Sequence, residues 1–409
     1  MNKLSIEDLD LKGKRVLMRV DFNVPQNEDG SVRDDTRIRA ALKSINYVCD
    51  QGGKLILMSH LGRPGNPDKA ESDAERQEII AKNVKFKMDP VATHLQGLVT
   101  AKVTKVNDIV GPEVEAAVNA MHEGDIVLLE NTRFHPGETK NDPALCEALA
   151  KLADVYISDA FGTVHRAHAS TEGVTKHVAQ SAAGFLVAKE MEYFGQVLSN
   201  PKRPLVAILG GAKVSDKITV IDNLLNLVDT LIVGGGMAFT FLKAKGYEIG
   251  DSLLDEPGIE VAKQVMAKAE SKGIELLLPV DCVVADKFAN DANHKVVDAD
   301  AIEVGWMGLD IGPKTLENCL AAIKDAGSVV WNGPVGVFEM DNFANGTKSI
   351  ANALAEGDMI SIIGGGDTAA AVAVFGVADR MSHVSTGGGA SLEMLEGKTL
   401  PGLAALTDK

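Results

Sequence analysis

Short apolar runs recur along the whole chain, each closing in a polar or glycine-rich cluster and then in a stretch with helical spacing. In the first part they are RVLMRV (15–20), KLILMS (54–59), DIVLLE (125–130) and DVYIS (154–158). In the second they are PLVAIL (204–209), DTLIVG (229–234), ELLLPV (275–280), SVVWN (328–332) and DMISII (358–363). Uninterrupted apolar runs of this length fit parallel strands buried on both faces, and their alternation with helical segments predicts an α/β architecture.

The two sets end differently. After the first come DFN (21–23), SHLGRP (59–64), ENTRF (130–134) and DAFGTVHRAH (159–168); after the second come GGAK (210–213), GGGMAF (234–239), NGPVGVFE (332–339), GGGDTAA (364–370) and, after HVST, GGGAS (387–391). In open parallel sheets ligands sit outside the carboxyl ends of the strands, so these clusters are where a site is sought. Two edge chemistries in 409 residues predict two domains, at about 100–200 residues each. One is arginine-rich, with nine of the eleven arginines before residue 181, and suits a small anion; the other is glycine-rich and suits phosphates held on backbone amides. AAGFLVAKEMEYFGQVLSN (182–200), closed by Pro201 and Pro204, reads as a connecting helix, and the charged stretch 65–87 as a surface excursion.

Composition narrows the function classes. A net charge of −16 repels polyanions such as DNA or an anionic membrane, so an anionic ligand must be caught locally, and only 4% aromatic residues leave little for base stacking. Cys49, Cys146, Cys282 and Cys319 stand far apart without a CxxC and suggest reduced thiols. No signal-peptide core and no apolar run of about 18 residues occurs, which makes a cytoplasmic protein the expectation.

A glycine after a strand lets backbone N–H groups approach phosphate oxygens, yet one such loop is often only turn chemistry. Three triplets plus GGAK in one region point further. No GxxxxGK[ST] is present, and no GxGxxG follows the first strand. Lys213 and Lys217, four apart, are expected on one helical face, either solvated or at a phosphate. Asp367, in GGGDT, would sit in a first helical turn, as a cap or as a carboxylate for phosphate-bound Mg²⁺. Glu339 would suit ribose hydroxyls or be a plain surface charge. Arg37, Arg63, Arg133 and Arg166, with His60, His165 and His168, occupy separate loops that either converge on a multi-anion or remain solvated. Asp21 and Asn23 beside them would suit a substrate hydroxyl. A small anion on one domain and a nucleotide on the other imply phosphoryl transfer.

RVDFNVP (19–25), SHLGRP (59–64), ENTRF (130–134), DAFGTVHRAHAS (159–170), LGGAKVSDKI (209–218), VGGGMAFTFL (233–242), WNGPVGVFE (331–339), GGGDTAAAV (364–372) and STGGGASLEMLEGK (385–398) closely resemble the phosphoglycerate kinase family, in order and over nearly the full chain. The resemblance implies two Rossmann-like domains, each a mainly parallel sheet flanked by helices, joined by a connecting helix. It also implies reversible phosphoryl transfer between 1,3-bisphosphoglycerate and MgADP, giving 3-phosphoglycerate and MgATP, in a monomer that closes about its hinge.

By that resemblance Asp21 and Asn23 bind the glycerate part, and His60, Arg63, Arg133 and Arg166 its non-transferred phosphate. Arg37 is the catalytic arginine, which also contacts the substrate. Lys213 accompanies the transferring group as a catalytic residue and also binds nucleotide, and Gly365 and Gly388 are catalytic with it, Gly387–Gly389 opening a helix toward that group. Lys217, Asn332, Glu339, Gly365, Gly366 and Thr368 bind nucleotide, Asp367 engages the metal–nucleotide complex, and Gly235, Gly236 and Leu309 line the adenine pocket. The implied domains are 1–183 for phosphoglycerate, 184–200 as hinge, 201–392 for nucleotide, and 393–409 returning to the first. The stretch 65–90 is longer and more charged than the resemblance leads one to expect. Two other readings, a two-lobed anion-binding protein without chemistry and an NAD-dependent dehydrogenase, lack support from a secretion signal and from a dinucleotide fingerprint respectively.

Overall fold

The structure, a computed structural model, describes residues 2–409. The chain forms two compact units, one running to Glu192 and resuming at Thr399–Lys409, the other spanning Tyr193–Lys398. The chain passes from the first to the second inside the helix Phe185–Ser199.

In the first unit six strands, β1 (Arg15–Val20), β2 (Lys54–Met58), β3 (Val103–Lys105), β4 (Ile126–Leu128), β5 (Val155–Asp159) and β6 (Ser181–Ala183), form one parallel sheet in the order β3-β4-β2-β1-β5-β6. Val16, Met18, Leu55, Leu57, Ile126, Leu128 and Ile157 form one core with Ile38, Ala41, Ile45 and Val48 of the helix Thr36–Asp50. The spacing of these four keeps them on one helical stripe, and truncating Ile38 to Ala would cost about 2–5 kcal/mol through the cavity left. The charged stretch near residue 75 contains a helix, Asp73–Asn83, capped by Ser72 and burying no side chain.

Residues 399–409 complete this unit. Thr407 takes the Leu4 N–H on its carbonyl at 2.9 Å and donates its own N–H to Ser181 at 2.9 Å, and Gly402 N–H reaches Val164 O at 2.8 Å. The preceding helix, Gly389–Leu395, belongs to the second unit.

The second unit contains β7 (Leu205–Leu209), β8 (Thr230–Val233), β9 (Glu275–Leu277), β10 (Asp281–Ala285), β11 (His294–Asp298), β12 (Met307–Ile311), β13 (Ser328–Asn332), β14 (Ile360–Gly364) and β15 (His383–Val384). Six of them make a parallel sheet in the order β15-β14-β13-β7-β8-β9, the doubly wound order whose switch point lies between β7 and β13. Trp331 of β13 is fully buried in its core and donates Nε1–H to Gly333 O at 2.8 Å. Strands β11-β10-β12 form a separate antiparallel sheet. It was not read from the sequence, because its edge strand HKVVD alternates exposed and half-buried residues instead of running apolar.

Candidate active site

In the first unit the loops that leave β1, β2, β4 and β5 are tied together by side chains bonded to backbone, the last of them through Glu138 Oε2, which accepts Ser170 N–H at 3.0 Å. Ser59 Oγ accepts Phe22 N–H at 2.8 Å, and Asn23 Oδ1 accepts Gly62 N–H at 2.7 Å. Asn131, fully buried, accepts the N–H groups of Leu61 and Arg133, each at 3.1 Å, and donates to Leu61 O at 2.7 Å and Phe86 O at 3.0 Å. Gly62 has φ +61°, and a Cβ there would lie 2.3 Å from the Phe86 ring, so only glycine lets Phe86 close over this loop.

These ties bring Arg63, Arg133 and Arg166, from the loops after β2, β4 and β5, to the wall of one cavity of ≈ 550 Å³. Arg133 Nη1 donates to Gly62 O at 2.6 Å, which holds two of the loops in register. Burial, then the charges of Arg166, Arg19 and Arg63, pull the Arg133 guanidinium below its usual pKa. The Glu138 charge offsets part of this crowding, and the cations at the wall suit an anion. His60 is buried behind them, against Arg19. Arg37 does not line this cavity; its Nη1 meets the Asp21 carboxylate at 3.0 Å. The wall also includes Gly65, Asn66 and Lys69, so the stretch read as a surface excursion helps to shape it. Sequence reasoning missed these three, and only the extra charge of that segment hinted at them.

In the second unit the glycines act at the β7/β13 switch point. A Cβ on Gly210 would lie 2.0 Å from Pro334 O, and Gly235, at φ +65°, would place one 2.8 Å from Gly211 N. Three loops can therefore cross in contact only as bare backbone. Around that crossing lies a cavity of ≈ 480 Å³ lined by Gly211, Gly235, Gly236, Leu309 and Glu339. Phe288, Leu253, Phe239 and Val337 give it apolar walls suited to a base. None of these four was singled out in the sequence; the exposed Phe288 after strand β10 was the available signal.

The two lysines require a correction. Lys213 lies in the loop after β7, Lys217 ends a 3₁₀ turn, and the α-helix starts only at Ile218. They share no helical face, because spacing of four aligns side chains only once a helix has begun. Lys213 is exposed, whereas Lys217 Nζ donates to Asn332 O at 3.0 Å and to Asn332 Oδ1. Burial pulls the Lys217 ammonium down to about 8, with the Asp367 charge opposing. Gly365, at φ +87°, caps the helix Gly366–Val374, leaving Asp367 exposed in its first turn. Thr368 is buried, and its Oγ1 accepts Gly333 N–H at 2.7 Å. Gly388, at φ +47°, caps the helix Gly389–Leu395.

A profile of the phosphoglycerate kinase family matches residues 6–398. The chain belongs to that family. A phosphoglycerate kinase of Moorella thermoacetica is 56% identical over 409 residues, covering 100% of both chains. Among solved structures, phosphoglycerate kinase from Coxiella burnetii superposes with TM-score 0.88 at 41% identity, and that from Pyrococcus horikoshii OT3 with 0.78 at 29%, each covering 98% of both chains. Members of the phosphoglycerate kinase family are glycolytic phosphotransferases with a carboxyl group as acceptor, and this chain moves a phosphoryl group reversibly between 1,3-bisphosphoglycerate and MgADP. The dehydrogenase and the non-catalytic binding protein are not supported.

Proposed function

We propose that the arginine-lined cavity of the first unit holds the 3-phosphoglycerate moiety and the switch-point cavity of the second holds the nucleotide. The observation that carries this is the meeting of Arg63, Arg133 and Arg166, from three separate strand ends, at one cavity. In this reading those arginines and His60 take the non-transferred phosphate, and Asp21 and Asn23 take the glycerate. The adenine lies against Gly235, Gly236 and Leu309, Glu339 takes the ribose, and Lys217, Asn332, Gly366 and Thr368 flank the phosphates.

The chemistry needs no general base. The bond from phosphorus to the carboxyl oxygen breaks as one to the terminal oxygen of ADP forms, in line, and no proton has to move. What it needs is charge stabilisation, supplied here by Arg37 and Lys213 and by the backbone at Gly365 and Gly388. Mg²⁺ arrives on the nucleotide. Asp367 would be the carboxylate that engages it, with phosphate oxygens and water completing its shell. Because donor and acceptor are assigned to different units, closure about residues 184–200 belongs to this reading, which also takes the enzyme as a cytoplasmic monomer. No helix among the described residues is long and apolar enough to cross a membrane.

A coupled assay with 3-phosphoglycerate, ATP and Mg²⁺ tests the assignment. Wild-type turnover should vanish with excess chelator, and Lys213→Ala, at an exposed position, should lose at least about 100-fold in kcat with its thermal midpoint unchanged. A normal rate in that variant removes Lys213 from the mechanism.

A further inference from the structure

Arg19 of β1 is 1% exposed, and neither cavity includes it. Its Nε donates to Ser170 Oγ at 2.9 Å, and its Nη2 lies 3.1 Å from His60 Nδ1. Ser170 donates its N–H to Glu138 Oε2 at 3.0 Å and its hydroxyl to Glu138 Oε1 at 2.5 Å. Glu138 and Ser170 are as buried as Arg19, and His60 is 6% exposed. A sealed line of four polar side chains thus runs from a carboxylate to the loop after β2.

The direction of every proton in this line is fixed. A carboxylate only accepts, so the Ser170 hydroxyl donates to Glu138 and its lone pair is left for Arg19 Nε–H. A guanidinium only donates, so His60 Nδ1 must be a bare acceptor and the ring proton must sit on Nε2. A second proton on the ring would set N–H against N–H, and burial with the charges of Arg19, Arg133, Arg166 and Arg37 drives the His60 pKa far below its ordinary value. His60 Nε2 has no hydrogen-bond partner among the described residues, and although the ring is 6% exposed and lines neither cavity, the charges of Arg133 and Arg166 act on it.

We infer that Glu138, Ser170 and Arg19 are positioning residues that hold His60 as the neutral Nε2–H tautomer, so that His60 offers the anionic substrate a directed hydrogen-bond donor without adding charge. This rests on the assignment of His60 to the 3-phosphoglycerate site. The neighbouring arginines supply attraction; His60 supplies orientation.

The test uses full-length protein with ¹⁵N-labelled histidine and long-range ¹H–¹⁵N spectra, the His60 signals being those lost in His60→Ala. Expected for the wild type is a proton on Nε2 alone, without titration through neutral and mildly acid pH. In Arg19→Met the tautomers should mix and the ring should titrate, while KM for 3-phosphoglycerate rises about tenfold and KM for MgATP moves less than about twofold. If that variant does not fold, Arg19→Met with Glu138→Gln removes both buried charges and keeps the question answerable. A doubly protonated or Nδ1–H ring in the wild type overturns the proposal, as does an unchanged ring in folded Arg19→Met. An unchanged KM in His60→Ala would show that the ring is held but delivers nothing to substrate, which overturns the substrate role and the assignment beneath it while the spectra still report the tautomer.

Discussion

The ammonium of Lys217 rests on Asn332, 3.0 Å from its backbone oxygen and against its side-chain oxygen as well. Both acceptors are neutral, so burial dominates and its pKa falls to about 8. An unfolded lysine keeps its proton to about 10.4. Between those values the unfolded chain binds more protons, and the burial penalty from this group is relieved as pH rises through that window. Free enzyme loses the charge over the same range, so kcat/KM for MgATP should fall above about pH 8, whereas bound phosphates should move the fall in kcat to higher pH. Both limbs should be missing from Lys217→Met; an alkaline limb that survives there belongs to another group.

Arg37 pairs with Asp21 at 3.0 Å, with 44% of its side chain exposed. A solvent-screened pair of this kind contributes little to stability, so Arg37→Ala should fold normally. Its kcat should fall about 10²- to 10³-fold while the Kd for MgADP stays put. Turnover and equilibrium nucleotide binding measured on one preparation decide it, and equal losses in both would contradict the role given to Arg37.

Asn131 has no counterpart on the substrate side, yet it fastens the loops at Leu61, Phe86 and Arg133. Asn131→Ala leaves buried N–H and C=O groups unpaired and should lower unfolding stability by about 2–4 kcal/mol, read as a lower denaturant midpoint at unchanged slope. KM for 3-phosphoglycerate should rise more than KM for MgATP. Asn131→Asp should not rescue it, because a carboxylate cannot donate to Leu61 O and Phe86 O.

Gly235→Ala would force a Cβ against Gly211 N and Pro334 O at 2.8 and 2.9 Å, in a left-handed conformation. Backbone has nowhere to yield, so calorimetry should show MgADP affinity reduced at least about tenfold, with 3-phosphoglycerate binding preserved. Wild-type nucleotide affinity in this variant would mean that the crossing of loops can open without loss.

What the sequence made legible follows from burial. Strands β1, β2, β4, β5, β7, β8, β13 and β14 are embedded in two parallel sheets and read as apolar runs. β3, β6 and β15 lie at sheet edges with three, three and two residues and no long apolar run, whereas β9, also an edge strand of three residues, is legible from the apolar run ELLLPV. The loops bearing Arg63, Arg133 and Arg166 stood out because each follows a readable strand. Arg19, Glu138 and Asn131 did not, because their work is internal: a buried polar residue in one sequence looks like any other until its partners are known. Lys213 and Lys217 misled for a local reason, since where a helix starts is poorly fixed by spacing alone.

The return of Thr399–Lys409 to the first unit sets the order of assembly during synthesis. Chain emerging from a ribosome delivers Tyr193–Lys398 as one unbroken stretch, whereas the unit begun first lacks its closing piece until Thr399–Lys409 has been made. The earlier-made half is therefore the later-finished one. A nascent chain stalled before Thr399 would carry all of Tyr193–Lys398 and a first unit still lacking the hydrogen bonds that Gly402 and Thr407 make to Val164, Leu4 and Ser181.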